Sequence, residues 1–279
     1  MPTDLPLSVW PTAQQTSRAQ RSGRYLALST AHPAKMLPAI AKRAIAAYSE
    51  PGDLVVDPMC GIGTTLVEAI HQGRDAIGVE YEERWANVAR ANVELARSQG
   101  ASGNAEVIQG DARQLASIVD PAIRGLVALV ITSPPYGPSV HGQANPTPGG
   151  GITKWDHRYS TDPKNLAHRP LGDLLDGFTS ILDQCRELLR PGGFVAVTAR
   201  PWRRDGELID LPAQVLLCAE AAGLILFERN VALLAALRDD SIVPRVSFFQ
   251  LNQVRKARKG GLPLLAIAHE DLLVLRRPK

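Results

Sequence analysis

Short apolar runs bounded by turn residues alternate along this chain with longer segments whose apolar side chains return about every 3.6 residues. The runs lie at Leu54–Val56, Ala76–Val79, Ala105–Ile108, Leu126–Ile131 and Phe194–Thr198, and the periodic segments at 64–73, 82–98, 112–118 and 172–190. Strand, helix and strand repeated in this way predict parallel βαβ units, with helices over both faces of a sheet. Upstream, Met36, Leu37, Ile40, Ile45 and Tyr48 keep the helical period from Pro33 until Glu50-Pro51-Gly52 breaks it. Downstream, a helix over 207–222 leads to two apolar stretches, 224–237 and 262–275, with no helical pattern between them. Two such runs joined without a crossover helix should pair antiparallel. The expected fold is α/β and Rossmann-like: a seven-stranded, mostly parallel sheet with an antiparallel hairpin at one edge. No internal repeat is present.

Three stretches stand outside this scaffold. Residues 1–31 are polar, with Arg18, Arg21 and Arg24 spaced by three and Trp10 and Tyr25 as large anchors. They read as an extended arm ahead of a single domain over 32–279. Residues 137–171 hold Gly142, Pro146, Pro148, Gly149-Gly150-Gly151 and Pro163, and a loop of about 35 residues inside a compact domain is usually functional. Residues 238–261 carry Arg238, Arg245, Arg255, Lys256, Arg258 and Lys259 ahead of Gly260-Gly261.

Composition narrows the classes. The 279 residues suffice for a full core. With 31 basic and 28 acidic residues the net charge is +3, which permits a polyanionic partner without demanding one. Cys60, Cys185 and Cys218 form no Cys-x-x-Cys pair, as suits reduced thiols. The six histidines show no His-x-x-x-His spacing, so no metal site is expected. His141, His157 and His168 share the long loop and read as solvated or base-contacting. No apolar run approaches the roughly 18 residues of a membrane span, and no signal pattern opens the chain. A cytoplasmic protein with no membrane partner is expected.

The first candidate chemistry is a ligand cradle. Asp57-Pro58-Met59-Cys60-Gly61-Ile62-Gly63-Thr64-Thr65 follows the first strand and opens the first helix of the alternation. Its glycines allow a tight turn and close approach to a ligand, and the helix N-terminus offers unpaired N–H groups. Glu80 ends the second strand, where an acid can take two ribose hydroxyls, as in dinucleotide enzymes. Asp111, at the end of the third strand, suits an adenine amino group. Tyr81 and Ala112 follow these acids and belong to the same candidate site. Singly, Asp57 or Asp111 could cap a helix and Glu80 could be a surface charge. Together they stand at the C-terminal ends of successive parallel strands, where such sheets bind ligands.

The second is Thr132-Ser133-Pro134-Pro135-Tyr136-Gly137, after the fourth strand. Pro134 and Pro135 fix φ and remove two donors, making a rigid turn past the sheet edge. The Ser133 hydroxyl and the carbonyls of Ser133 and Pro134 remain as fixed acceptors beside the flat ring of Tyr136. Such a pair suits a planar base bearing an amino group. A proline turn with a buried tyrosine is the plainer alternative.

At this point the sequence resembles the amino-methyltransferases of nucleic acids, whose signature is Ser-Pro-Pro-Tyr after the fourth strand. The serine form is typical of the N4-cytosine DNA group. The resemblance also covers His32-Pro33-Ala34-Lys35, Asp57-Pro58-x-x-Gly61-x-Gly63-Thr64-Thr65, Gly73-Arg74 and Gly78-Val79-Glu80. It extends weakly to His269-Glu270-Asp271-Leu272-Leu273-Val274. It implies a class I methyltransferase fold and S-adenosylmethionine as cofactor. By residue, it implies Pro33 and Lys35 near the cofactor's methionine end, Asp57 and the 61–65 loop at its amino-acid part, Glu80 at the ribose and Asp111 at the adenine. Ser133, Pro134, Pro135 and Tyr136 become the catalytic pocket, and Cys60 packs in the cofactor loop.

The activity that this resemblance implies is transfer of a methyl group to the exocyclic amino group of a flipped base, foremost N4 of cytosine in DNA. A DNA N6-adenine enzyme and a tRNA guanine or adenine amino-methyltransferase, with RNA as partner, are the alternatives. An NAD-type nucleotide-binding protein is the remote one, since it gives Ser133–Tyr136 no task. Relatives usually carry a separate target-recognition region of many tens of residues, and no room for one appears here. Recognition is therefore expected from 137–171 with Arg158 and Arg169, from the 200–206 turn with Arg203 and Arg204, from Arg255, Lys256, Arg258 and Lys259, from the N-terminal arm, or from the second subunit of a homodimer.

Overall fold

The computed structural model describes residues 6–135, 143–146, 152–155, 162, 165–204, 207–246 and 248–279, with the backbone alone at 143–146, 152–155, 204, 248 and 249. Among the described residues, eight strands form one sheet. In chain order they are β1 (Val9–Trp10), β2 (Leu54–Asp57), β3 (Asp75–Glu80), β4 (Ala105–Gln109), β5 (Val127–Thr132), β6 (Leu189–Ala199), β7 (Ile225–Leu233) and β8 (His269–Arg276). Their spatial order is β1-β7-β8-β6-β5-β2-β3-β4. β8 is antiparallel to both its neighbours, and the other adjacent pairs run parallel. The helices are α1 (Ser17–Arg21), α2 (Pro38–Tyr48), α3 (Thr64–His71), α4 (Glu83–Ser98), α5 (Leu115–Ile118), α6 (Leu171–Leu188), α7 (Leu211–Ala221) and α8 (Phe248–Lys259).

Alternation along each strand builds two cores. Val56, Val130, Val197 and Leu273 face Phe178, Ile181 and Leu182 of α6 and Val215 of α7. Their chain neighbours Val55, Leu129, Ala196 and Leu272 face Ile40 and Ile45 of α2, Leu66 and Ile70 of α3 and Val93 of α4. A one-residue slip would exchange the two sets, and each fully buried Leu, Ile or Phe contributes about 1.5–3 kcal/mol, so the register is firmly set.

Five parts of the sequence-based architecture need correction. The first 31 residues are not an extended arm: β1 adds an eighth strand outside β7, α1 follows, and Trp10 and Tyr25 are buried. The β7–β8 pair is antiparallel as expected, but β1 rather than that pair forms the edge. The 238–261 stretch holds a helix, α8, after a small hairpin of Ala235–Arg238 with Ser241–Pro244. Within 137–171, backbone strands 143–146 and 152–155 pair, and a 3-10 turn at Leu166–His168 precedes α6. The helix expected from Pro33 starts at Pro38, and the one expected from 207 starts at Leu211, behind a strand at Glu207–Ile209.

The topology places the functional segments. β2, β3, β5, β6 and β7 run the same way, so Asp57, Glu80, Thr132, Ala199 and Leu233 end at one edge of the sheet. The 234–268 insertion, with α8, therefore leaves the sheet at the same edge as the candidate site.

Candidate functional site

β2 carries Asp57 to the sheet edge, and the chain then turns through Cys60–Gly63 into α3. Cys60 N–H donates to the Val79 carbonyl at 2.9 Å, and Gly63 N–H closes the turn on the Cys60 carbonyl at 2.8 Å. Gly61 has φ +54°, and a Cβ there would lie 3.1 Å from Nε2 of His32. Gly63 has φ +79°, and its missing Cβ lets the start of α3 lie on Ala89, 3.2 Å from the Cβ position. Both positions need glycine, for left-handed backbone and close packing together.

Two buried carboxyls anchor the loop. Asp57 accepts the Thr65 hydroxyl at 2.6 Å and the Met59 N–H at 3.1 Å. Glu80 accepts N–H groups from Gly61 at 2.8 Å and from Glu82 at 2.9 Å. Burial pushes Asp57 up to about 7 and Glu80 up to about 7, against the pull of these hydrogen bonds. Each carboxylate has roughly four acceptor positions, so both retain capacity for further donors.

A cleft opens beside them. Its walls are His32 and Ala34–Met36 ahead of α2, Asp57–Ile62 with Thr64 and Thr65, Glu80 and Tyr81, Gly110–Arg113, Ser133–Pro135, Asn165–Ala167 and Ile181. Lys35 Nζ donates to the carbonyls of Thr30 and His32, and burial, with the Arg21 charge, lowers it to about 8. Asp111 accepts the Arg113 N–H at 2.9 Å and its guanidinium at 2.6–3.0 Å. Burial alone would raise this carboxyl, but the bonds from Arg113 outweigh it and hold Asp111 below the usual range. The far end of the long loop closes one wall, since the Tyr81 hydroxyl donates to Asp162 at 2.5 Å and the Asn165 amide donates to Glu82 at 2.9 Å.

Comparison with known proteins bears on this geometry. Residues 3–91 match the model of the N6/N4 DNA methylase family, a span that holds the cofactor loop and Glu80 and ends before Asp111 and Ser133. The chain is 37% identical over 89 residues to Type II methyltransferase M.ScaI of Streptomyces caespitosus, covering 32% of this chain and 28% of that protein. It is also 37% identical over 76 residues to DNA adenine methyltransferase YhdJ of Escherichia coli, covering 27% and 26%. Over this N-terminal third the chain is thus similar to the N6/N4 DNA methylase family. S-adenosylmethionine is the cofactor of this family. The chain thus spans less than a third of the length of either of these relatives. The fold is that of class I methyltransferases. TrmN from Thermus thermophilus superposes with a TM-score of 0.52 and 19% identity over 94% of this chain and 53% of that one.

Within this cleft stand Lys35, Asp57, Pro58, Cys60, Gly61, Thr64, Thr65, Glu80, Tyr81, Asp111, Ala112, Ser133, Pro134 and Pro135, all expected from sequence. Two expected cofactor residues are absent from its walls. Pro33 lies at a bend between His32 and Ala34–Met36, which make the wall. Gly63 acts one layer back, as the left-handed cap that seats α3 on α4. Tyr136 and Arg158 lie outside the described residues, as does the side chain of Arg204. Arg169 stands 3.9 Å from Asp173 at the start of α6, and Arg203 is exposed on a short strand. Arg255, Lys256, Arg258 and Lys259 are exposed on α8, with Arg258 donating to the Leu264 carbonyl at 3.0 Å.

Several wall residues had no sequence-based expectation. Arg113 has a local signal, a cation two residues beyond an acid. His32, Asn165, Leu166 and Ala167 reach the cleft only through the fold. Among the described residues no group of three or more His, Cys, Asp and Glu could hold a metal ion, and no helix is long and apolar enough to cross a membrane.

Proposed function

We propose that this chain methylates the exocyclic amino group of a nucleic-acid base, with cytosine N4 in DNA as the target. The observation that carries this reading is that Ser133, Pro134 and Pro135 line the same cleft as Asp57, Glu80 and Asp111. In this reading Asp57 and the 61–65 loop hold the amino-acid part of S-adenosylmethionine, Glu80 the ribose hydroxyls and Asp111, shared with Arg113, the adenine end. Two buried carboxyls with spare acceptor positions fit a ligand that brings an ammonium, hydroxyl donors and a sulfonium cation. When bound, the cofactor supplies an activated methyl group on that sulfonium.

The protein's own residues supply position. A cytosine amino group is a poor nucleophile because its lone pair is delocalised into the ring. Donation of its two protons to the Ser133 hydroxyl oxygen and the Pro134 carbonyl favours a pyramidal nitrogen with the lone pair aimed at the methyl. With the cofactor held by Asp57, the 61–65 loop, Glu80 and Asp111, the nitrogen would take its methyl group from the sulfonium, which would be left as a neutral thioether, and the surplus amino proton would pass to solvent. Alignment of this kind contributes through proximity rather than covalent chemistry. A paired base cannot enter such a cleft, so the target flips out and stacks on Tyr136. No thiolate is called for, and burial raises the Cys60 and Cys185 thiols, which keeps both protonated.

DNA as substrate is supported by the family description and by the name of YhdJ, and the serine before the prolines favours cytosine. Adenine N6 is the second reading, because YhdJ is named for adenine and matches at the same identity as M.ScaI. Two variants test the pocket. Tyr136→Ala should cut base capture and turnover through loss of stacking worth roughly 1–3 kcal/mol per base. Ser133→Ala should lower kcat more than cofactor affinity, since the lost contact is made to the reacting nitrogen. Full specific activity of both folded variants would sink the assignment.

A further inference from the structure

The cofactor loop is gripped from behind by two elements of which neither provides the Gly-rich sequence. One is α4, the other the segment 26–32 between α1 and α2. The buried stripe of α4 consists of Trp85, Ala86, Ala89, Asn92, Val93 and Ala96. Asn92 is the polar member, and it is 0% exposed. A buried amide costs free energy unless its hydrogen bonds are met. Here both of its ends are used. Oδ1 accepts the Leu26 N–H at 2.9 Å and the Ser29 hydroxyl at 3.3 Å, while Nδ2 donates to Ser29 Oγ at 2.9 Å and to the Ile62 carbonyl at 2.9 Å.

Ile62 is the residue between Gly61 and Gly63. Its carbonyl is therefore tied to α4 in the middle of the turn, so the peptide between two conformationally permissive glycines is held at both ends, by Asn92 at the Ile62 carbonyl and by the Cys60 carbonyl at the Gly63 N–H. The same two elements meet the loop again on either side. Ala89 of α4 lies under Gly63, and His32 lies on Gly61 with its ring edge-to-face on Trp85 of α4 at 4.6 Å.

We propose that Asn92 is a positioning residue for the cofactor: it fixes the Ile62 peptide and, through Ser29 and Leu26, makes the 26–32 segment part of the cofactor site. The proposal rests on the reading of the 57–65 loop as the holder of S-adenosylmethionine. Asn92 is not itself a wall of the cleft but bonds the wall residue Ile62, so its effect passes through the loop's geometry.

The test measures S-adenosylmethionine binding to the full chain by calorimetry, with thermal unfolding and kcat at saturating cofactor alongside. Asn92→Leu, which keeps the branched shape and removes the donor and acceptor, should weaken binding by about tenfold, the scale of one buried hydrogen bond, and leave kcat unchanged. Asn92→Asp keeps the acceptor for Leu26 and Ser29 but turns an oxygen toward the Ile62 carbonyl. Its deficit relative to wild type at the same pH should be largest near about pH 8 and shrink toward about pH 5.5, because burial at this position raises the acid and its protonated form regains a donor. If Asn92→Leu does not fold, Asn92→Asp carries the test. A folded variant of either kind that binds with wild-type affinity, whatever its melting temperature, would overturn the proposal. Wild-type protein that fails to bind the cofactor would instead overturn the reading of the loop, and this inference with it.

Discussion

Asp57 and Glu80 give the site its pH behaviour. Both carboxyls sit near 7 in the folded chain because burial penalises their charge, against about 4 in an unfolded one. The folded state therefore holds extra protons between those values. Stability of the cofactor-free protein should fall as pH rises across that window and level off above about 7. A ligand that donates hydrogen bonds and carries positive charge prefers the ionised carboxyls, so S-adenosylmethionine should bind more tightly as pH rises through 7 and release protons as it does so. Calorimetry near pH 7 in buffers of different ionisation enthalpy checks this, and a binding heat independent of buffer would count against these two acids as cofactor ligands. Both were legible in the sequence, because an acid directly after a short apolar run marks a strand end. His32 and Asn92 were not, because their partners Gly61 and Ile62 lie about thirty positions away and meet them only through the fold.

At the scale of elements, the alternating strands and helices from 54 to 222 were legible because two-sided burial writes continuous apolar runs between amphipathic helices. The failures were elements too short or too charged to write a pattern. β1 has two residues, too few for any periodicity, and joins the sheet through backbone pairing at Val231 and Ala232. α8 has Phe248, Leu251 and Val254 at helical spacing, but Arg255, Lys256, Arg258 and Lys259 mask it, and these four are exposed. Because β7 runs parallel to β6, this helix leaves the sheet at the cleft's own edge, which makes it a candidate for nucleic-acid phosphates. Replacing its four cations with Ser should weaken binding to duplex DNA and reduce the salt slope by about one unit per lost phosphate contact. An unchanged slope would move the footprint elsewhere, with Arg169 and Arg203 the next candidates.

Taken as one molecule, the chain is built around the cofactor edge from both of its ends. The N-terminal segment reaches behind the loop: the Arg24 guanidinium and the Tyr25 hydroxyl hold the buried Glu68 of α3 at 2.7 Å, and Asn92 joins Leu26 and Ser29 to Ile62. The C-terminal strand β8 inserts between β6 and β7 and so carries the 234–268 insertion back from that edge. All of this serves one claimed reaction, methyl transfer to an amino nitrogen rather than to a ring carbon. The most direct measurement is incubation of the protein with labelled S-adenosylmethionine and, separately, duplex DNA and tRNA, followed by digestion to nucleosides and mass spectrometry. The account predicts label in N4-methyldeoxycytidine from the DNA. Label on ring carbon 5 of cytosine, or no label in either nucleic acid, would contradict it.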